Sequence, residues 1–416
     1  MNLGYFTVSS NAKSPTVRLL LVLVAVGTPA SQAAGPSDLA GADQAQSAHE
    51  RLGTAIRLSA DYLIRACGAD GRFVYQIDPD SGRASASYNI VRHAGAIYAL
   101  DMYNRTYVDA GSVSAMRRAA EYMQTRYISS QMQPDVSIIW TKPLPLKSEA
   151  SLGAAGLGLT ALTAAERSDH AVISTAQLTG IARFVTFLQR PDGSFASRYR
   201  AESGPESDWE SLYYPGEAAL GLISLYETTG SKEWLIAAGM ALSHLARSRV
   251  GVRNLPPDHW ALIATAKFLP HYSESSCPSS RAELVEHAAR LSAMFVDQQI
   301  WNAVDNRLNG GFDRGGRTTP TAIRLEGLLA ALEALPKSDE ALRTRIGEVV
   351  QRGVDFLERA QITSGPYAGG IPGSVIKSPV GGAGAAAIRI DYVQHALCAW
   401  LGYEQMLARI KRGGRS

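Results

Sequence analysis

From about residue 47 the chain alternates two kinds of apolar segment. The first kind is amphipathic: apolar residues recur at three- and four-residue steps while Arg, Lys or Glu occupy the opposite face, as in a helix with one wet side. Such segments cover 52–64, 113–127, 173–188, 234–245, 282–295 and 341–357. In the third, Leu178, Ile181, Phe184, Val185 and Leu188 form the stripe. The second kind is apolar or small on nearly every face, over 88–103, 149–164, 214–226, 258–268, 319–335 and 391–406. A run such as Leu152-Gly153-Ala154-Ala155-Gly156-Leu157-Gly158-Leu159 leaves no face for water, so it describes a helix enclosed by other helices.

Strict alternation of six outer and six inner segments predicts an all-α fold, an (α/α)6 toroid of successive hairpins with an inner ring packed inside an outer one. A helical solenoid would alternate in the same way, but the fully apolar inner set favours closure around one axis. One toroid domain is expected over 47–410, after a flexible linker at 34–46 and before a basic tail at 411–416.

A second repetition supports the hairpins. Asp70-Gly71-Arg72-Phe73, Asp192-Gly193-Ser194-Phe195 and Asn309-Gly310-Gly311-Phe312 each follow an outer segment, and Gly369-Gly370-Ile371 is a degraded fourth copy. Glycine after Asp or Asn supplies a tight turn, and the aromatic plugs the space between neighbouring hairpins. Every such turn leads into an inner helix. The long loops 70–87, 191–213 and 366–390 therefore gather where the inner helices begin.

The N-terminus changes where the protein is expected to work. Lys13 and Arg18 flank a short apolar run at 19–26, followed by Gly27, Pro29 and a small-x-small site at Ser31-Gln32-Ala33. This reads as a signal peptide over 1–33, too short to remain as a membrane span, so export to the periplasm or the medium is expected. The 416 residues carry 41 Lys plus Arg against 38 Asp plus Glu, a formal +3 from which the leader would remove two. That balance gives no footprint for nucleic acid. Cys67, Cys277 and Cys398 are odd in number and lack metal-type spacing, so buried free thiols are expected.

Candidate chemistry follows from which side chains open each inner helix. Six helix N-termini point unpaired N–H groups toward a shared funnel. Their first turns carry Tyr88, Asn89, Arg92 and His93; Glu149; Tyr214 and Glu217; Asp258, His259 and Trp260; Arg324 and Glu326; and Arg389, Asp391, Tyr392 and His395. Ionisable groups on an enclosed helix cost several kcal/mol unless paired or solvated, so a polar cavity or a set of structural ion pairs must account for them. Asp258, Glu326 and Asp391 are the acid and base candidates, since an apolar wall such as Trp260 raises a carboxyl pKa and a neighbouring Arg keeps one ionised. Asp258 could equally cap its helix. His93, His259 and His395 could move protons at a sugar carbon; no HxH or HExxH spacing supports a metal, and neither a metal nor a cofactor is expected. Tyr88, Tyr214, Trp260 and Tyr392 offer aromatic faces suited to sugars, with Trp209 a further, more exposed candidate.

Tyr214-Pro215-Gly216-Glu217-Ala218, then Leu225-Tyr226-Glu227-Thr228-Thr229-Gly230 and Trp234-Leu235, resembles the hairpins of six-hairpin glycosidases and N-acylglucosamine 2-epimerase-like proteins. Leu188-Gln189-Arg190-Pro191-Asp192-Gly193-Ser194-Phe195 is similar to the Gln-to-Gly-x-Trp repeat of terpenoid cyclases, with Phe in place of Trp, but the Asp-x-Asp-Asp initiator of those enzymes is absent. The first resemblance implies carbohydrate hydrolysis, lysis or epimerisation. The leading expectation is thus an exported hydrolase or lyase of a poly- or oligosaccharide using Asp258, Glu326 and Asp391, with Arg92 and Arg389 binding substrate. A metal-independent epimerase using His259 and His395, or a non-catalytic glycan- or partner-binding toroid, are the alternatives.

Overall fold

The computed structural model describes residues 36–130, 135–168, 172–206, 208–376 and 386–413; the expected leader lies outside them. Twelve α-helices follow one another among the described residues: α1 (Pro36–Ala66), α2 (Ile90–Asn104), α3 (Ala110–Tyr127), α4 (Leu152–Ser168), α5 (Thr175–Phe187), α6 (Tyr214–Thr229), α7 (Lys232–Ser248), α8 (His259–Phe268), α9 (Arg281–Gln298), α10 (Thr319–Ala334), α11 (Glu340–Ala360) and α12 (Ile390–Gly413). Even-numbered helices pack on one another in sequence and α12 packs back on α2, so the inner ring is closed. Each odd-numbered helix lies against two inner neighbours, and α1 fills the place between α12 and α2. This is the (α/α)6 toroid that the alternation predicts. Among these helices none is long and apolar enough to cross a membrane. Helical backbone already starts at Pro36, inside the stretch expected as a linker.

Burial follows the two segment classes. In α4, fourteen consecutive residues from Leu152 to Ala165 are buried, whereas α11 buries only the stripe Ile346, Val349, Val350, Gly353, Val354, Phe356, Leu357 and Ala360. The three cysteines are buried and unpaired.

The glycine turns lock one hairpin to the next. Gly71, Gly193, Gly310 and Gly369 take φ of 83°, 88°, 88° and 88°, a left-handed conformation that glycine adopts without penalty. A Cβ at any of them would overlap a carbonyl oxygen on the following outer helix: Arg118, Met240, Arg352 and, across the seam, Leu58. Three residues earlier on each of those helices a second carbonyl accepts a hydrogen bond from the same turn. Gln189 Nε2 donates to Ala237 at 2.9 Å, Gln299 to Val349 at 2.8 Å and Gln361 to Ala55 at 2.9 Å, while Cys67 Sγ reaches Ala115 at 3.5 Å. The degraded fourth copy is thus structurally intact. Phe73, Phe195, Phe312 and Ile371 are all buried behind these turns.

Small antiparallel ladders join the loops at the inner-helix N-terminal end, an element the periodicity did not reveal. β1 (Gln76–Ile77) pairs with β7 (Ile388–Arg389), stitching the first loop to the last. β2 (Ile128–Ser130) pairs with β3 (Ser137–Ile139). β4 (Glu149–Ser151) pairs with β5 (Arg198–Arg200), which pairs with β6 (Gly204–Glu206). Glu149, expected to open the second inner helix, therefore belongs to a strand.

Candidate active site

Helix α12 organises the site because Asp391 and His395 are four residues apart and share one face. Asp391 reaches back to Arg389, with Nε–Oδ1 at 2.5 Å and Nη2–Oδ2 at 2.9 Å, and across to Arg92 on α2, whose Nε lies 3.1 Å from Oδ2. Arg92 also donates to the Tyr75 hydroxyl, and the Arg389 guanidinium sits 4.3 Å from the Tyr392 ring centre. On the other side His395 Nδ1 lies 2.6 Å from Glu326 Oε1 on α10. Side-chain exposure rises from 4% at Glu326 through 12% at His395 and 21% at Arg389 to 35% at Arg92, which orders the four from the floor of the funnel to its mouth.

His259 opens α8 and faces this pair, its ring centre 5.6 Å from that of His395 in an edge-on arrangement. Both ring nitrogens are buried without a hydrogen-bond partner. Burial, reinforced by the facing His395 and by Arg324, holds His259 well below the ordinary imidazole range, so it is neutral at physiological pH. Glu326 is shifted the other way: desolvation raises its carboxyl, and His395 pulls it back down. Trp260 floors the site, 4.8 Å from His259 and 6.3 Å from His395 between ring centres, and rests on Tyr98 at 6.1 Å.

His395 Nδ1 faces Glu326 Oε1, so Nε2 is the ring nitrogen left without a partner among the described residues. Donor atoms of His259, Glu326 and His395 lie within 4.8 Å of one another. Two ligands of one tetrahedral zinc stand roughly 3.4 Å apart, given bonds of about 2.1 Å. At 2.6 Å, His395 Nδ1 and Glu326 Oε1 are hydrogen bonded to each other rather than jointly placed around an ion.

Several residues expected in the funnel have other work. Asp258 is fully buried; its Oδ2 accepts from Arg249 at 2.7 Å and its Oδ1 caps α8 through the Ala261 N–H at 3.0 Å, so the helix-cap reading describes it. His93 is packed between α2 and α3: the Tyr88 hydroxyl lies 2.7 Å from Nδ1, Nε2 lies 2.8 Å from the Ala119 carbonyl, and burial lowers the ring to about 4. Tyr88 in turn accepts from the Phe73 N–H, so both residues are engaged in packing. Asn89 caps α2, accepting from the Val91 and Arg92 N–H groups at 2.9 and 3.2 Å. Arg324 is turned onto Gln298 of α9, 3.1 Å away, beside the Phe295 and Phe312 rings.

Glu217 in the first turn of α6 is buried with Oε2 unpartnered, and desolvation together with the Asp258 charge pushes its carboxyl up to about 8. It lies over Gly153, where a Cβ would press on both Glu217 Oε2 and the Tyr214 ring. Tyr214 meets the half-exposed Trp209 edge-on at 5.7 Å, and Arg198 covers Trp209 at 4.5 Å, which puts this loop aromatic beside an inner-helix N-terminus as the sequence suggests. Sequence reasoning named His395 and Glu326 separately but not their pairing. It missed Arg249 and Tyr75 altogether, since neither belongs to an inner-helix first turn.

This closed ring with a polar mouth at the inner-helix N-termini defines the chain as an α/α-toroid protein. No family model matches it, and no curated protein does. Among solved structures it is similar to a sugar epimerase from a ruminal bacterium, with a TM-score of 0.62 and 11% identity over 84% of this chain and 98% of that one. A D-mannose isomerase matches at TM-score 0.60 and 11% identity, over 85% of this chain and 97% of the other. An unsaturated glucuronyl hydrolase specific for heparin matches at 0.59 and 11%, over 86% and 98%. At such identity the likeness establishes the fold; the reaction has to be argued from the site.

Proposed function

We propose that the protein is a sugar epimerase or isomerase that moves a proton at the carbon beside the carbonyl of an open-chain sugar. One observation carries this reading: a neutral, unpartnered imidazole at His259 faces an imidazole at His395 that a buried carboxylate, Glu326, supports. His395 Nε2 takes the proton from carbon 2, the C–H electron pair moves into the carbon–carbon bond, and the former carbonyl oxygen becomes the enediolate oxygen. Glu326 stabilises the imidazolium so formed. A neutral His259 donates its ring N–H to the charged oxygen, as a pre-set dipole does without reorganisation. Returning the proton to carbon 1, while the carbon-2 hydroxyl passes its proton to oxygen 1 and becomes the new carbonyl, yields the ketose; delivery to the opposite face of carbon 2, with the carbon-1 carbonyl reforming, yields the epimer. That the neighbours include a sugar epimerase and a D-mannose isomerase supports the same choice.

Glycoside hydrolysis is the second reading, and Glu217 is what favours it, as a carboxyl that keeps its proton near neutral pH and could serve as the acid. The carboxylates first expected to act as a hydrolytic pair are already committed: Asp258 to Arg249, Asp391 to two arginines and Glu326 to His395. Incubating the protein in D2O with a panel of aldoses and following the carbon-2 proton by NMR tests the proposal. Loss of that signal, abolished in H395A and H259A, is expected; release of reducing ends from oligosaccharides without exchange would overturn it in favour of hydrolysis. Export is proposed as well, on the leader-like segment 1–33, and N-terminal sequencing of the mature chain tests it.

A further inference from the structure

The proton-transfer reading leaves one part of the funnel unused. Two guanidiniums, Arg92 and Arg389, converge on a single carboxylate, Asp391. Their charges exceed its own by one. Arg389 spends Nε and Nη2 on Asp391, and Arg92 spends Nε on Asp391 and Nη1 on Tyr75, so Arg389 Nη1 and Arg92 Nη2 retain donors with no partner among the described residues. Both side chains are partly exposed at the mouth. Among the described residues, no second acidic side chain is ion-paired with either guanidinium.

We propose that the sugar taken here is a uronic acid whose carboxylate seats on Arg92 and Arg389 while its aldehyde end reaches His395 and His259. The two spare nitrogens, one on each guanidinium, offer a charged donor to each oxygen of a carboxylate. The spacing also fits. Asp391, which holds the arginines, lies one helical turn above His395, about 6 Å along α12, comparable to the reach of a six-carbon chain from its carbon 2 to its terminal carboxylate. Asp391 then acts as a positioning residue that holds both guanidiniums with their spare nitrogens toward the substrate.

This inference rests on the proton-transfer reading for the orientation of the sugar, and the test separates the two. Binding of glucuronate, galacturonate and mannuronate to the full chain is measured by calorimetry against glucose, galactose and mannose, each pair differing only at carbon 6. Carbon-2 proton exchange in D2O is followed on the same six sugars. At least one uronate is expected to bind tenfold or more tightly than its neutral partner, more weakly as salt is added, with R92M and R389M each raising its Kd about tenfold. Equal binding within every pair overturns the inference even if exchange occurs, and so does the absence of uronate binding at about 10 mM, well above ordinary Michaelis constants. Preferential uronate binding without exchange leaves the charge selection standing and removes the proton-transfer reading instead.

Discussion

His395 Nδ1 and Glu326 Oε1 meet at 2.6 Å across two neighbouring inner helices, while the second imidazole of the site, His259, has no such partner. The asymmetry assigns roles. A base benefits from a carboxylate that stabilises its charged form, and a neutral donor benefits from its absence. Replacing Glu326 by Gln preserves shape and removes the charge, so kcat for carbon-2 exchange is expected to fall by about 10²–10⁴-fold with KM little changed. A KM effect alone would show that Glu326 acts on binding.

Glu217 should reveal itself in the pH dependence of stability. Its folded-state pKa is raised to about 8 by burial and the Asp258 charge, against an ordinary value of 4.5. The folded chain therefore keeps a proton that the unfolded chain releases, and the stability this confers at low pH is lost as pH rises through that interval. E217Q stays neutral throughout. Its stability relative to the parent is expected to climb by a few kcal/mol between about pH 4.5 and 8 and then level off. Urea melts of both proteins across that range measure it, and a constant difference would mean that Glu217 ionises freely.

At the turns, G193A and G204A separate packing from backbone strain. Both glycines have positive φ, 88° and 83°, but a Cβ at 193 strikes the Met240 carbonyl whereas nothing lies within 4 Å of one at 204. G204A should cost about 1 kcal/mol and G193A about 3 or more. Equal losses in denaturant unfolding would contradict the contact of the turn with α7.

Removing Asp258 leaves Arg249, itself only 8% exposed, without its carboxylate. D258A is expected to destabilise the fold by about 3–5 kcal/mol, because an uncompensated buried charge is worse than no pair at all. The double variant R249M/D258A should recover part of that loss. Additive losses in the double-mutant cycle would mean that the two side chains do not act together.

The architecture was legible because burial imposes it directly on composition: α4 is buried from Leu152 to Ala165 and α11 along one stripe, and the sequence records both patterns residue by residue. The four glycine turns were legible for a similar reason, as positive φ narrows the choice of residue. Side-chain direction was not. Asn89, His93 and Arg92 sit within one turn of α2, yet one caps the helix, one packs toward α3 and one faces the funnel, and only the neighbouring helices decide between them. Asp258 was indistinguishable from a catalytic acid until Arg249, arriving from the far end of α7, was seen to claim it. The short ladders escaped notice because strands of two or three residues carry no period.

The β1–β7 ladder brings Gln76 opposite Arg389, and the same seam lies between Arg92 and Asp391. The anion seat is therefore assembled from opposite flanks of a join rather than inside one hairpin. Contacts here link residues some 300 positions apart, such as Ser59 with Gly369, and long-range pairing of this kind is slow to form. A chain whose final hairpin has not yet docked would own every helix of the site but the last, and would be inert. Substrate affinity thus doubles as a gauge of whether the circle has been shut.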